Sequence, residues 1–586
     1  MAAAGGALVV IGAAVAAVDR VHVVVLRGVD AWNGPYVPPQ SAGLVRTGLA
    51  SEIVAVGALA VLVALLWRAA GAVAGWTRAR PAATAVAVLT ALWLPTIVLG
   101  RSAIFGGRRY WWLGDDAMIA MRYARNWADG LGLVWNEGER VEGYTNFLWT
   151  AFMAAVHAAA VPDRLTSLVV LLANLLIAAA TIPYLVRMVR LLGGGGFAVG
   201  MTLVAFVLSK PIFVWGVSGF EATLLGLLVV VALVRILEDA DRGRAAPTTV
   251  VIIAAVSLVR ADALVLAALL YVVLVWLVPD RRRTVALIAL SVVVPLAYHV
   301  ARIAYYGDVL PNTAVLKTSH WGGRYEAGVV YAVDFVRRHV VFVGLAVLAA
   351  AAGTAARRAA GAVVAASIVY AVAAGGDAFS DFRFFVPLLP IVFALAALAT
   401  EQLAATAAVR GGVAAVAILT MPTVVPGYAA LAAPSGFDVG NVEIALTLDH
   451  EAPAGTAVAD FWAGTVFYFA DVRGIDLLGK TDPVIADQRP RSDGMLPGHN
   501  KFDFEHSLSL RPDVVVANLA VPVTEGELAR RSVGPYAFTG LLFENETFRR
   551  HCLAQPVPVA TWRTMFVCDW SPLQPAVDDW RLVRRS

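Results

Sequence analysis

Apolar runs as long as a membrane crossing dominate this sequence. A helix needs about 20 apolar residues to cross the hydrocarbon core of a bilayer. Many runs approach that length, and only 15% of the 586 residues are charged, against about a quarter in soluble proteins. We therefore predict a polytopic all-α membrane domain of about thirteen spans. They are expected near 6–26, 50–67, 82–100, 165–188, 195–212, 218–236, 247–259 with 263–278, 284–304, 338–353, 358–374, 384–402 and 411–428.

The first span has an alternative interpretation as a cleaved signal peptide. Asp19 and Arg20 interrupt its apolar run. The basic residues that begin a signal peptide are missing, however, which favours a membrane span.

The loops between the spans indicate how the chain is oriented. Arginines in short loops mark the cytoplasmic side of a membrane protein. If the spans alternate, the arginine clusters fall on one side, which we predict to be cytoplasmic. The outer face then receives loops 101–164, 211–218, 305–337 and 375–383, and everything after about 429. Residues 147–161 are too short for a full crossing and are expected to form a helix in the interface.

The chain divides into three predicted parts. These are N-terminal spans in 1–81, a membrane domain in 82–428, and an outer mixed α/β domain in 429–586. Short apolar runs separated by turn residues predict the strands of the last part. They lie at 455–459, 475–478, 514–516, 557–560 and 565–567, with a helix at 463–470.

Charge and cysteine content narrow the class further. The net charge of +4 and the lack of a basic tract argue against nucleic acid as a partner. The only cysteines are Cys552 and Cys568. In an oxidising compartment they are expected to form a disulfide, and two unpaired thiols are the alternative.

Two adjacent acids follow the third span directly. A helix is expected to begin at Asp115 and to end at Asp129-Gly130, because acids favour a helix N-terminus and glycine favours a helix end. Capping needs only one carboxylate, so we predict that Asp115 and Asp116 are catalytic, as a base or an electrostatic group. Simple capping is the alternative. An acid pair also permits a divalent cation such as Mg²⁺ or Ca²⁺.

The amino-acid sequences of the predicted outer loops resemble those of a known family. The run from Gly114 to Thr150 is similar to the first periplasmic loop of GT-C fold glycosyltransferases, in particular the actinobacterial terminal β-(1→2)-arabinofuranosyltransferases (AftB-like). Further matching runs follow in the same order along the chain. They are SGFEA, LVRADALVLA, RIAYYGDVLPNTAVLK, GGDAFSDFRFFVPLLP, IDLLGKTDPVIA and PGHNKFD.

This resemblance implies a concrete activity. An enzyme of the plasma membrane is expected to transfer a sugar, arabinofuranose, from a polyprenyl phosphate to a cell-wall arabinan. The transfer takes place on the periplasmic side, and Asp115 and Asp116 correspond to the family's acidic pair. Mannose is the alternative sugar. Retention and inversion at the anomeric carbon both stay open, because one aspartate could act as a nucleophile.

Polar residues elsewhere in the outer segments complete the predicted site. The donor phosphate is expected to bind Arg302, Arg383 and Lys317, because arginine grips phosphate oxygens well. For Arg383, snorkelling to the interface is the alternative. Substrate contacts are expected from Glu142, Tyr144, Asn146, Glu221, Arg260, Asp262, Tyr306, Asn312, Asp377 and His499.

Several of these residues have structural alternatives. Arg260 and Asp262 interrupt an apolar stretch, where they either serve the site or neutralise each other. Glu221 is a substrate contact or a helix cap, and His499 is a substrate contact or part of a surface turn.

Two other classes of function compete with the enzyme. A transporter or flippase for lipid-linked sugars favours inverted repeats with matching broken helices, and only one broken span is found. A non-catalytic scaffold that binds wall polysaccharide is the third possibility.

Overall fold

The computed structural model describes residues 80–379, 381–491, 498–519, 525–533, 536–552, 555–560 and 563–571. The predicted spans at 6–26 and 50–67 therefore lie outside the described residues. A helix occurs at each of the other predicted spans, and the interfacial segment forms the helix Phe147–Ala158.

Helices make up the part of the chain that was predicted to be a membrane domain. They are Pro81–Pro95 continued by a π-helical turn Thr96–Gly100, Asp115–Ala128, Phe147–Ala158, Asp163–Leu191, Gly196–Leu208, Lys210–Val217, Ala222–Arg242, Pro247–Val259, Ala263–Leu277, Arg281–Ser291, Val293–Tyr306, Asn312–Thr318, Arg324–Arg338, Val340–Ala351, Ala355–Ala374, a 3₁₀ turn Val386–Leu388, Leu389–Leu403, Ala407–Thr420 and Tyr428–Leu431. The predicted break between 259 and 263 is confirmed.

Five described helical segments are long and apolar enough to cross a membrane individually. They are Pro81–Gly100, Asp163–Leu191, Arg281–Tyr306, Ala355–Ala374 and Val386–Leu403. The remaining apolar helices are shorter, so the total of about thirteen spans stays a prediction.

Proline residues explain why two helices end earlier than the sequence predicts. The span expected to reach 428 ends at Thr420, because Pro422 and Pro426 follow it. The span expected at 195–212 ends at Leu208, and Pro211 lies in the first turn of the next helix, Lys210–Val217. The amphipathic helix Arg324–Arg338, within the loop 305–337, was not predicted.

A mixed five-stranded sheet forms the core of the C-terminal part. Separate from this sheet, a short hairpin in the first loop contains β1 (Ser102–Phe105) and β2 (Arg108–Trp111). The sheet contains β3 (Ala457–Asp460), β4 (Arg473–Asp476), β5 (Val514–Ala517), β6 (Gln555–Ala560) and β7 (Arg563–Val567). Its strand order is β4-β3-β5-β7-β6, with β3 parallel to β4 and β5 and the other pairs antiparallel. All five predicted strands are present, with shifted ends.

Short helices surround this sheet. They are Gly436–Glu451, Thr465–Phe469, Pro483–Ala486, Phe504–Ser509, Glu525–Arg531, Phe538–Glu544 and Glu546–His551. The disulfide between Cys552 and Cys568 is formed.

The two faces of the sheet pack against different cores. Side chains alternate between the faces of a strand. Val458 and Val516 join the large apolar core of the helices, whereas Ala459 and Val515 join a smaller core on the other face. The sheet therefore packs against the helical part of the chain. The domain boundaries given above stay predictions.

A close helix contact gives a first test of this packing. A Cβ at Gly216 would lie 1.9 Å from Cη2 of the fully buried Trp93. Gly216→Ala is therefore expected to lower stability by about 1–3 kcal/mol, as overpacking does. Nothing lies within 4 Å of a Cβ at Gly200, so Gly200→Ala is the matched control. Equal thermal-unfolding midpoints for the two variants would contradict the contact.

Candidate active site

The helix Asp115–Ala128 presents the two acids at its first turn. It begins after Gly114, whose N–H donates to the carbonyl of Ser218 at 2.8 Å. Negative side chains are stabilised at a helix N-terminus by the helix dipole. The predicted start is confirmed, and the helix ends at Ala128, before Asp129.

Asp115 is held by a segment from the C-terminal part of the chain. Its Oδ1 accepts from the backbone N–H of Thr465 at 2.8 Å. Its Oδ2 is buried without a hydrogen-bond partner among the described residues. Burial raises the pKa of Asp115 above the ordinary value of 3.8, and the nearby Lys480 offsets this only in part.

Asp116 forms an ion pair with Lys480, which follows β4. The Lys480 ammonium donates to Oδ1 of Asp116 at 2.8 Å, and the two side chains are 6% and 22% exposed, respectively. Burial alone raises the pKa of Asp116, but Lys480 and Arg383 outweigh it, so the pKa lies well below its ordinary value. The pKa values of the two adjacent carboxylates are thus shifted in opposite directions, a pattern typical of sites in which two acids have different acid–base roles.

Asn312 positions the backbone that carries Lys480. Its side-chain amide donates to the carbonyls of Gly479 and Lys480, each at 2.9 Å. Its own N–H donates to the carbonyl of Glu142 at 3.0 Å. Asn312 therefore connects the loop 305–337 to the Lys480 segment.

Arg383 lies in a cage of aromatic rings beside Asp377. It donates to both oxygens of Asp377, at 2.8 and 3.0 Å. Its guanidinium carbon lies 5.2–5.4 Å from the ring centroids of Trp215, Phe220 and Phe379. At 12% exposure, the side chain is held inside the protein, which contradicts the snorkelling alternative.

Lys317 is a second cation beside the same carboxylate. Its ammonium lies 3.9 Å from Oδ1 of Asp377, and its side chain is 34% exposed. Asp116 interacts electrostatically with both Lys317 and Arg383. Asp116, Asp377 and their cations therefore form one charged cluster.

Arg302 belongs to a different group of contacts. It forms a buried ion pair with Glu142 and donates to the carbonyls of Asp308 and Val309. Tyr306 and Tyr144 lie in the same part of the fold, where the Tyr306 hydroxyl donates to the carbonyl of Leu133 at 2.8 Å. None of the ion pairs of the described residues joins Arg302 to Asp115, Asp116 or Asp377.

Arg260, Asp262, Glu221 and Asn146 form a chain of contacts at the helix break. Arg260 pairs with Asp262 through two nitrogens and lies 3.7 Å from Glu221. Glu221 also accepts from the Asn146 amide at 2.9 Å. Arg260 and Asp262 therefore neutralise each other, as their structural alternative predicts, and Glu221 and Asn146 extend the contacts.

His499 is buried, in contrast to the surface-turn alternative. It is 6% exposed, and its ring centroid lies 5.8 Å from that of Trp462. His499 also acts electrostatically on Asp116 and contributes to its lowered pKa.

Arg122 joins the first loop to the C-terminal part of the chain. It is buried and donates to the carbonyls of Trp135, Phe467 and Val472, at 2.5–2.9 Å. Asn136 exchanges two hydrogen bonds with Gly474 of β4. A buried guanidinium satisfied by several carbonyls fixes the position of the elements around it.

The surroundings of the acids fit a divalent cation poorly. Among the described residues, no cluster of three or more histidine, cysteine, aspartate or glutamate side chains is placed to hold a metal ion. Lys480 already supplies the positive charge next to Asp116.

The sequence has relatives of known activity. A terminal β-(1→2)-arabinofuranosyltransferase from Corynebacterium glutamicum is 29% identical over 288 residues, covering 45% of this chain and 41% of the relative. The protein of the same name from Mycobacterium tuberculosis is 27% identical over 277 residues, covering 44% and 43%. The resemblance to this family is confirmed, although the match spans less than half the length of either relative.

The fold also has a solved counterpart. ArnT from Cupriavidus metallidurans, crystallised with undecaprenyl phosphate, superposes with a TM-score of 0.55 at 13% identity, covering 86% of this chain and 99% of ArnT. The fold is of the GT-C type. Residues 433–571 match a family model described as "Domain of unknown function (DUF8728)".

Sequence reasoning missed the residues that the C-terminal part brings to the acids. Lys480 and Thr465 lie more than 340 residues from Asp115 and Asp116 along the chain. Asp438 is a further neighbour, since Asp115 acts on its pKa. Lys480 does lie within the IDLLGKTDPVIA run that resembles the family, and this resemblance could have marked it as a candidate site residue.

Removing the Lys480 charge tests the ion pair. Lys480→Met should destabilise the protein by about 1–2 kcal/mol, because it leaves Asp116 partly buried without its cation. Because the pKa of Asp116 is lowered in the folded protein, the stabilisation from the ion pair is fully present at any pH above the ordinary aspartate pKa of 3.8. It is lost only when the pH falls through the lowered pKa. The deficit should therefore stay constant from about pH 5 to 8. Lys480→Arg is the control, and a deficit that vanishes within this range would contradict the assignment.

Proposed function

We propose that this protein is a membrane glycosyltransferase that moves a sugar from a polyprenyl phosphate to a cell-wall polysaccharide on the periplasmic side. The observation that carries the proposal is the pair Asp115 and Asp116, whose pKa values shift in opposite directions beside a cluster of cations. The names of the curated relatives support arabinofuranose as the sugar, and the proposed acceptor is an arabinan.

Asp115 is the proposed proton acceptor. The acceptor hydroxyl oxygen forms a bond to the anomeric carbon, while the bond from that carbon to the phosphate oxygen breaks. The polyprenyl phosphate leaves with the electron pair, and the hydroxyl proton passes to Asp115. The raised pKa of Asp115 suits a base, and its unpartnered buried oxygen suits a substrate hydroxyl.

Asp116 stays ionised and supplies negative charge. Its pKa is held low, so it remains a carboxylate at neutral pH. A carboxylate there stabilises positive charge that develops at the anomeric carbon as the phosphate departs. This division of roles describes a single displacement, and a covalent sugar on either aspartate would replace it with two steps.

Arg383 and Lys317 are the proposed ligands of the donor phosphate. Both cations lie beside Asp377 and act on Asp116, and this positive charge next to the proposed catalytic acids supports a role in binding the leaving phosphate. Arg302 is a weaker choice, because Glu142 and two carbonyls already occupy its two terminal nitrogens. A transporter for lipid-linked sugars, the main alternative, gives the two aspartates no chemical role.

Replacing each acid tests the reaction. Asp115→Asn and Asp116→Asn should each reduce transfer by about 10²–10⁴-fold. Transfer is measured in nanodiscs with decaprenyl-phosphate-arabinofuranose and a synthetic arabinan oligosaccharide. Asp129→Asn is the matched control, because Asp129 is the exposed residue at the other end of the same helix. Wild-type protein that transfers no sugar, or full activity in both variants, would refute the proposal.

Arg383 gives a separate test of phosphate binding. Arg383→Lys keeps the charge but loses the two-pronged geometry, so the KM for the donor should rise by about tenfold. The KM for the acceptor should not change. Arg302→Lys is the comparison, and a larger effect on donor KM there would restore Arg302 as the phosphate ligand.

A further inference from the structure

One short segment of the C-terminal part reaches directly into the candidate active site. Residues 461–465 connect β3 to the helix Thr465–Phe469, and Thr465 donates to Asp115. A Cβ at Gly464 would lie 1.9 Å from the carbonyl oxygen of Asp115. The close approach therefore requires glycine and fixes the segment against the acids.

Trp462 is carried by this same segment. It lies three residues before Thr465, so at most about 11 Å separates their Cα atoms. Its N–H donates to Oδ1 of Asp460 at 3.1 Å, which ties its backbone to the end of β3. Trp462 is therefore held near Thr465, which contacts Asp115.

The indole ring of Trp462 is fixed but only half buried. Its Nε1 donates to Oδ1 of Asn518 at 3.0 Å, and Phe437 packs edge-on with ring centroids 5.0 Å apart. Lys480 Nζ lies 5.8 Å from the Trp462 ring, and the His499 ring lies at the same centroid distance. A rigid aromatic surface thus adjoins two side chains that can form hydrogen bonds.

We propose that Trp462, with Lys480 and His499, forms the subsite that binds the terminal sugar ring of the acceptor polysaccharide. This inference rests on the proposed function. Sugar rings present C–H groups on their faces and hydroxyls on their edges, which match an aromatic face rimmed by donors. Lys480 has three N–H donors and uses one on Asp116, so it orients the sugar and the carboxylate together.

The placement of Trp462 favours the acceptor over the donor. Arg383, the proposed phosphate ligand, packs against Trp215, Phe220 and Phe379 of the helical part of the chain. Trp462 instead lies in the segment that follows β3 of the C-terminal sheet, and Asp116 interacts with both Arg383 and Lys480. The donor carries a lipid tail and must arrive from the bilayer, so the sheet side of Asp116 is left for the polysaccharide.

Acceptor kinetics test the subsite. In nanodiscs, Trp462→Ala should raise the KM for an arabinan oligosaccharide by about five- to tenfold, with the donor KM unchanged. Trp462→Phe keeps an aromatic face and should recover most of the loss. Trp570→Phe is the matched control, since Trp570 stacks on His551 and donates to Pro512 rather than contacting the acids.

The outcomes separate this inference from the proposed function. Calorimetric titration of the oligosaccharide without donor should show weaker binding to Trp462→Ala than to wild type, whether or not sugar is transferred. Transfer by wild type with an unchanged acceptor KM in Trp462→Ala would overturn the subsite alone. A rise in donor KM instead would assign Trp462 to the donor sugar and also overturn it.

Discussion

An ion pair between Asp116 and Lys480 joins the two parts of the chain at the point where the chemistry is proposed. Asp116 stands at the first turn of the helix Asp115–Ala128, and Lys480 follows a strand of the C-terminal sheet. A charge removed from water is costly unless an opposite charge accompanies it. Each residue therefore needs the other, and neither part of the chain forms this site alone.

The C-terminal sheet acts on the acids through fixed backbone as well as through charge. Thr465 holds one oxygen of Asp115, and Arg122 bonds carbonyls on both sides of the junction. The same sheet supplies Lys480, which keeps Asp116 ionised while Asp115, more weakly compensated, retains a raised pKa. The different pKa shifts of the two adjacent aspartates thus follow from how the C-terminal part of the chain packs against the helix that carries them.

Local pattern predicted much of this architecture, and long-range pairing accounts for what it missed. Apolar runs, the Arg260–Asp262 break and the helix start at Asp115 are properties of neighbouring residues, so the sequence alone indicated them. The contact of Asp116 with Lys480 spans 364 residues, and no local pattern reports it. Arg302 was predicted to bind the donor phosphate, and the sequence alone did not show that its buried partner would be Glu142, 160 residues away.

A double-mutant cycle between Asp116 and Lys480 tests the central claim most directly. The free energy of unfolding is measured for wild type, Asp116→Asn, Lys480→Met and the double variant in the same nanodiscs. A direct ion pair predicts that the two losses fail to add, by at least about 0.5 kcal/mol. Losses that add within about 0.3 kcal/mol would show that the two charges do not interact, and would contradict this account.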